Sequence, residues 1–159
     1  HKELYDAMIL KHVIKESKHH QTIAIYHSFK DEINTHPMIE KLISLNKTVC
    51  CPKITKGVMS FIKVRSLDDF EKGYFDIMEP KSDEVVDKND IDCIFVPLLW
   101  INDAFYRIGY GGGYYDRYLK DSPSKKIGLA YSFQKTDIQF QEVYDVKLDA
   151  LMTQEGLEA

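Results

Sequence analysis

The run Ile91-Asp92-Cys93-Ile94-Phe95-Val96-Pro97 constrains the fold more than any other segment. From Cys93 onward it is continuously apolar, so a strand built from it has no face to offer to water. Such strands belong to parallel sheets covered on both sides, and the proline marks the end. Two more runs of this kind, Thr22-Ile23-Ala24-Ile25-Tyr26 and Thr48-Val49-Cys50-Cys51-Pro52, flank a stretch with Met38, Ile39, Leu42, Ile43 and Leu45 at helical spacing. Thr35 is placed to cap that helix, and Asn46 stands near its end. Strand, helix and strand within about thirty residues is the length of a crossover unit with parallel strands.

The remaining segments extend this pattern. Leu4, Tyr5, Met8, Ile9, Val13 and Ile14 form one broad stripe, which predicts an opening helix docked on the sheet. Met59 to Val64 alternates at period two beyond the Lys56-Gly57 turn and predicts a strand with one wet face. Tyr114 to Lys120 predicts a helix, and Lys126 to Tyr131 and Ala150-Leu151-Met152 predict strands. Ser66 to Asp90 is polar and turn-rich and reads as mostly loop, anchored by Phe70, Tyr74, Phe75, Ile77 and Met78. The fold class expected is α/β, a three-layer sandwich whose mainly parallel, mixed sheet is covered by helices on both faces. In such sheets ligands bind outside the carboxyl ends of the strands.

The chain has 159 residues, which suits a single domain spanning 1–159 with a sizeable core. It is 44% hydrophobic and 29% charged, too apolar for a disordered chain. A net charge of −4 argues against a general nucleic-acid binder, which would present a basic face. No apolar run reaches membrane-spanning length, and no signal peptide is recognisable at the start. Cys50, Cys51 and Cys93 form no C-x-x-C pair and read as small buried hydrophobes of a reducing compartment. A cytoplasmic monomer acting on small molecules is expected, with neither nucleic acid nor membrane as partner. The sequence opens at His1 without an initiator methionine, so a trimmed amino terminus is expected.

The chemistry concentrates in Arg107-Ile108-Gly109-Tyr110-Gly111-Gly112-Gly113-Tyr114-Tyr115-Asp116-Arg117, beyond the carboxyl end of the Ile91–Pro97 strand. Four of the eight glycines fall there within five positions. Without Cβ atoms, consecutive N–H groups can turn toward an anion and form a concave nest, and the helix that follows points its positive end the same way. Arg107 and Arg117 flank the nest and are suited to gripping phosphate oxygens. Together these suit a triphosphate. The motif is neither a P-loop nor a G-x-G-x-x-G fingerprint. The bland alternative is a tight strand-to-helix turn, which leaves the flanking charges unexplained.

Asp116, three residues past the last glycine, can ligate a Mg²⁺ that bridges phosphates, or simply complement a helix terminus. Asp145 and Asp149 are further oxygen donors or solvated loop acids. Tyr114, Tyr115, Phe75 and Trp100 are candidate walls for a flat ligand, against core packing as the alternative. Glu32 follows the first strand, where it can accept from a ligand's N–H groups or lead a helix. The six histidines show no zinc-ligand spacing.

The stretch RIGYGGGYYDRYL, Arg107 to Leu119, resembles the nucleotide-binding signature of the 5-formyltetrahydrofolate cyclo-ligase family, also called 5,10-methenyltetrahydrofolate synthetases. The segments IAIYHSFKDEINT, FDIMEP, DCIFVPLL and YDVKLDALMT are similar to that family's first strand with its acidic folate loop, its aromatic-x-I-x-x-P segment, its central strand and its closing segment. The resemblance implies ATP- and Mg²⁺-dependent closure of 5-formyltetrahydrofolate to 5,10-methenyltetrahydrofolate, releasing ADP and phosphate through a phosphorylated formyl intermediate. Carried over, Arg107, Ile108, Gly109, Tyr110, Gly111, Gly112, Gly113, Tyr114, Tyr115 and Arg117 line the ATP. Tyr110, Gly111, Gly112, Gly113 and Tyr114 also face the folate, together with His27, Glu32 and Phe75. Asp116 and Asp145 match the family's metal positions, and Arg107, Tyr114 and Asp116 are the catalytic candidates.

Two departures from the family pattern stand out. The family's basic amino-terminal K-x-x-x-R segment, which helps to hold ATP, is not in this sequence. Tyr110 and Gly112 stand where some members carry Arg and Lys, which leaves more phosphate charge to backbone N–H groups, Arg107, Arg117 and Mg²⁺. The competing readings are a non-catalytic nucleotide- or folate-binding module, and an isomerase or acyl-transfer enzyme, for which no acid/base or nucleophile set is evident.

Overall fold

The computed structural model describes residues 1–73 and 76–159 and is built on a seven-stranded mixed sheet. Helix α1 (Lys2–Ser17) leads into β1 (Thr22–Ile25), and α2 (His36–Ser44) connects it to β2 (Thr48–Thr55). A two-residue turn joins β2 to β3 (Val58–Val64). There Lys56 and Gly57 both have positive φ, 52° and 77°, the backbone twist that such hairpins require. β6 (Cys93–Val96), α3 (Tyr114–Leu119) and β9 (Lys125–Leu129) form the next crossover, and β11 (Ala150–Thr153) with β12 (Gly156–Glu158) closes the sheet. Its order is β12-β11-β9-β6-β1-β2-β3; β3 and β12 run antiparallel at the edges and the other five are parallel.

The apolar runs explain this arrangement. Ile23 and Ile25 point to one face of β1 with Ile9 and Val13 of α1 and Met38, Ile39 and Leu42 of α2. Ala24 points to the other face with Phe61, Ile94, Val96, and Tyr118 and Leu119 of α3. Both faces are therefore packed. The helical cover is nevertheless unequal, because α3 has only six residues and loop side chains such as Leu98 and Leu148 complete the second face. The opening stripe is narrower than its sequence suggests: Ile9 and Val13 are fully buried, whereas Leu4 and Met8 remain exposed.

Two expectations are corrected. Thr35 does precede α2, but its hydroxyl makes no cap bond. It donates to the Tyr26 carbonyl at 2.6 Å and accepts from Ser28 N–H at 2.9 Å, which closes the loop between β1 and α2. The stretch read as mostly loop holds a small ribbon, β4 (Phe70–Lys72) paired antiparallel with β5 (Met78–Pro80), and a bridge from Val85 to Ile62. Phe70 is its buried anchor, Ile77 is exposed, and Tyr74 and Phe75 lie outside the described residues.

The sequence reading also omitted a three-stranded sheet of β7 (Trp100–Asn102), β8 (Arg107–Ile108) and β10 (Lys135–Thr136), in the order β10-β7-β8. It folds the chain back after β6 and delivers the glycine run. Among the described residues, no helix is long and apolar enough to cross a membrane. All three cysteines are buried, and burial pushes each thiol well above its ordinary pKa, as befits packing residues.

Candidate active site

β1 and β6 are neighbours at the centre of the sheet, and the chain leaves them in opposite senses. From β1 it crosses to β2 by a helix in one core, and from β6 to β9 by a helix in the other. Such a reversal of strand order opens a crevice outside the carboxyl ends of the two strands, where α/β sheets bind ligands. Two loops enter it: residues 26–35 after β1, and the glycine run after β8.

Within the first loop, Glu32 accepts the Phe29 N–H at 2.7 Å, which orients its carboxylate. Burial raises its pKa, while the Phe29 N–H and the Tyr110 hydroxyl facing it pull the other way. The Tyr110 hydroxyl is pushed up in turn, to about 12, first by burial and then by the Glu32 charge. The acidic loop and the glycine loop thus meet side chain to side chain. His27 stacks between His36, with ring centroids 4.0 Å apart, and Phe70, at 4.5 Å. Burial, reinforced by His36, lowers its pKa to about 4, so the imidazole is neutral at pH 7.

In the second loop, Gly111, Gly112 and Gly113 have φ of 95°, 79° and 67°, a run of left-handed backbone that glycine adopts at least cost. Gly109 is required for a different reason. A Cβ there would run into the Arg107 guanidinium, which would have to move.

Arg107 is buried, donates from Nη1 to the Pro97 carbonyl at 3.0 Å, and lies over the Tyr115 ring. Its Nε and the Tyr115 hydroxyl are buried without partners. Two buried polar groups of this loop thus keep hydrogen-bonding capacity that no described residue uses. Burial lowers the Arg107 pKa, against the opposing pull of nearby acids, Asp116 foremost and then Asp145. Arg117 is exposed, lies beside Gly113, and stacks over Tyr114 with its guanidinium carbon 4.9 Å from the ring centroid.

Asp116 sits in the first turn of α3, and its carboxylate has no hydrogen bond or ion pair with any described residue. Asp145 accepts the Glu142 N–H at 2.8 Å. Asp149 instead accepts from Lys126 N–H at 2.8 Å and so serves the sheet. Both Asp116 and Asp145 oppose the lowering of the Arg107 pKa, so both lie within reach of its charge. Among the described residues there is no cluster of three or more His, Cys, Asp or Glu able to hold a metal. Trp100 is 45% exposed on β7, directly across from Ile108 of β8. Tyr115 packs edge-on against Phe61 and belongs partly to the core.

The family model described as 5-formyltetrahydrofolate cyclo-ligase matches residues 4–154, which takes in both loops and every parallel strand. The chain belongs to that family. It is 35% identical over 135 residues to the 5-formyltetrahydrofolate cyclo-ligase of Mycoplasma genitalium, covering 83% of this chain and 72% of that protein. To the Haemophilus influenzae cyclo-ligase it is 34% identical over 141 residues, covering 84% and 75%. The NMR structure of Aquifex aeolicus 5,10-methenyltetrahydrofolate synthetase superposes with a TM-score of 0.86 at 31% identity, over 98% of this chain and 80% of that one. The cyclo-ligase family is a family of ligases acting on a folate, so this chain is an enzyme of that class.

Sequence reasoning about the cyclo-ligase site missed two residues that the strand ends supply. Tyr26, the first residue beyond β1, is 5% exposed, and its phenol is raised by burial and then by the charge of Glu32. Pro97, the first beyond β6, offers the carbonyl that pins Arg107. Their positions immediately after the two central strands were the available signal.

Proposed function

We propose that the protein closes 5-formyltetrahydrofolate to 5,10-methenyltetrahydrofolate at the expense of ATP, in the crevice between the 26–35 loop and the glycine run. The observation that carries this reading is the convergence of a folate-suited acid, Glu32, with an anion-suited nest whose Arg107 and Tyr115 hold unsatisfied donors. Glu32 accepts from the pterin's amino and ring N–H groups. His27, neutral at pH 7, borders the same loop, and Phe75 is proposed as a packing partner of the pterin. The N–H groups of Gly109 to Tyr115 and the Arg107 guanidinium hold the triphosphate, with Arg117 at the open side.

An amide-like formyl oxygen is a poor leaving group until it is phosphorylated. In the reaction proposed, that oxygen attacks the γ-phosphorus and ADP departs. N10 then attacks the activated formyl carbon, its proton is lost, and the C–O bond breaks to release phosphate as the ring closes. No strong acid or base is needed, and the residues present suit positioning and charge neutralisation. Tyr110 and Tyr114 border the formyl group in this arrangement, and Arg107 neutralises charge on the transferring phosphoryl group.

Asp116 and Asp145 fit Mg²⁺, which typically takes one or two carboxylates and fills its remaining positions with phosphate oxygens and water. The carboxylate of Asp116, in the first turn of α3 and free of hydrogen bonds with the described residues, suits that role. When bound, the ion would neutralise the charge that develops on the transferring phosphoryl group.

The test is incubation with 5-formyltetrahydrofolate and Mg-ATP, following the near-ultraviolet absorbance of the methenyl product. An ATP-dependent rise supports the reading; no rise with fresh substrate overturns it.

A further inference from the structure

The first turn of α1 reaches the acidic loop through a chain of polar contacts that the chemistry above does not use. Tyr131, which follows β9 and is packed in the core, donates its hydroxyl to Asp6. Burial and the Asp6 carboxylate raise this phenol far above its ordinary pKa, so it remains a donor. The other Asp6 oxygen accepts from Lys2 Nζ at 2.7 Å, and the same ammonium donates to the Glu32 carbonyl at 2.9 Å. The Asp6 side chain is 13% exposed and that of Lys2 43%, so the contact is anchored at Asp6 and open to water at Lys2. Lys2, Asp6 and Glu32 also wall a cleft of about 400 Å³, together with Glu3, Ser28, Lys30, Asn34 and His36.

We propose that Tyr131, Asp6 and Lys2 are positioning residues of the folate subsite, a strut that runs from the end of β9 to the backbone of Glu32. Lys2 grips the carbonyl of Glu32, while the carboxylate is held by the Phe29 N–H. The acid is thereby fixed from two sides without an ion pair that would neutralise it for the pterin. Among the described residues, Tyr131, Asp6 and Lys2 hydrogen-bond none of the glycine run, so their influence falls first on folate. This inference rests on the reading of Glu32 as the folate acid.

The experiment measures KM for 5-formyltetrahydrofolate and for ATP, with kcat, in Lys2→Met, Lys2→Arg, Tyr131→Phe and the Lys2→Met/Tyr131→Phe double variant. Loss of one net hydrogen bond corresponds to a rise in folate KM of roughly three- to tenfold in Lys2→Met, with kcat and ATP KM within about twofold of the parent. Lys2→Arg, which keeps the charge and the donors, restores the parent value. Tyr131→Phe, which keeps the ring, raises folate KM in the same direction, and the double variant is no worse than Lys2→Met alone. An unchanged folate KM in Lys2→Met, a parallel rise in ATP KM, or additive effects in the double variant would overturn the strut. If the unsubstituted protein shows no turnover, the proposed reaction fails. Calorimetric Kd values for 5-formyltetrahydrofolate across the same variants then still decide the strut, and absence of folate binding overturns both.

Discussion

At the scale of single residues, the site depends on close approach and on burial, and two predictions follow from these. Gly109→Ala places a methyl against the Arg107 guanidinium. The guanidinium is flexible and can retreat, so the melting temperature should hardly change. Its bond to the Pro97 carbonyl is lost, however, and kcat/KM for ATP should fall about tenfold or more, as loss of a charge-assisted contact implies. Steady-state kinetics beside a thermal melt separate the two effects. His27 gives a pH signature. Its folded pKa, about 4, lies below the ordinary 6.5, so between these values the unfolded chain takes up a proton that the folded chain refuses. Stability should therefore fall as pH drops from 6.5 toward 4, and urea midpoints for His27→Gln should show a shallower fall across that window. The roles of Asp145 and Asp149 were not separable in the sequence without the family resemblance, because both are acids in a polar stretch. Both accept a backbone N–H, but the partner of Asp145 lies in its own turn, whereas that of Asp149 belongs to β9.

At the scale of elements, the long ones were legible and the short ones were not. Helices α1 and α2 and strands β1, β2, β3 and β6 declare themselves through periodicity or unbroken apolar runs. The positive φ of Asn46, 62°, just past the end of α2, is the left-handed stop that its residue type announces. Strands of two or three residues such as β7, β8 and β10 carry no period, and their pairing is decided by what lies beside them in the folded chain. Thr35 marks another limit. Its position before a helix suggests a cap, yet a buried carbonyl and N–H elsewhere in the loop compete for its hydroxyl and win. Thr35→Val should leave the Tyr26 carbonyl and the Ser28 N–H without that partner and destabilise by about 2 kcal/mol. Urea denaturation measures the loss, and because the substitution loosens the loop that carries Glu32, folate KM should rise as well.

Across the whole molecule, the site is a consequence of strand order. The sequence placed Glu32 and the glycine run each beyond a strand's carboxyl end, about 75 residues apart along the chain, as the spacing of the two strand-end loops in α/β folds permits. Their meeting follows from β1 and β6 being neighbours with opposite crossovers, which no local pattern encodes. Because the two loops stem from different strands, their functions should separate in kinetics. Glu32→Ala is expected to raise folate KM with little change in ATP KM, whereas Asp116→Ala should weaken turnover chiefly by raising the Mg-ATP requirement. An unaltered Mg²⁺ dependence in Asp116→Ala would remove that residue from the metal site.

The central claim is that ATP drives ring closure by phosphorylating the formyl oxygen in this crevice, and isotope transfer tests it most directly. 5-Formyltetrahydrofolate labelled with ¹⁸O at the formyl group is converted with Mg-ATP, and the released phosphate is analysed by mass spectrometry. The account predicts one ¹⁸O atom in the inorganic phosphate for each methenyl product formed. Product that appears without ATP, or phosphate that carries no label, would contradict it.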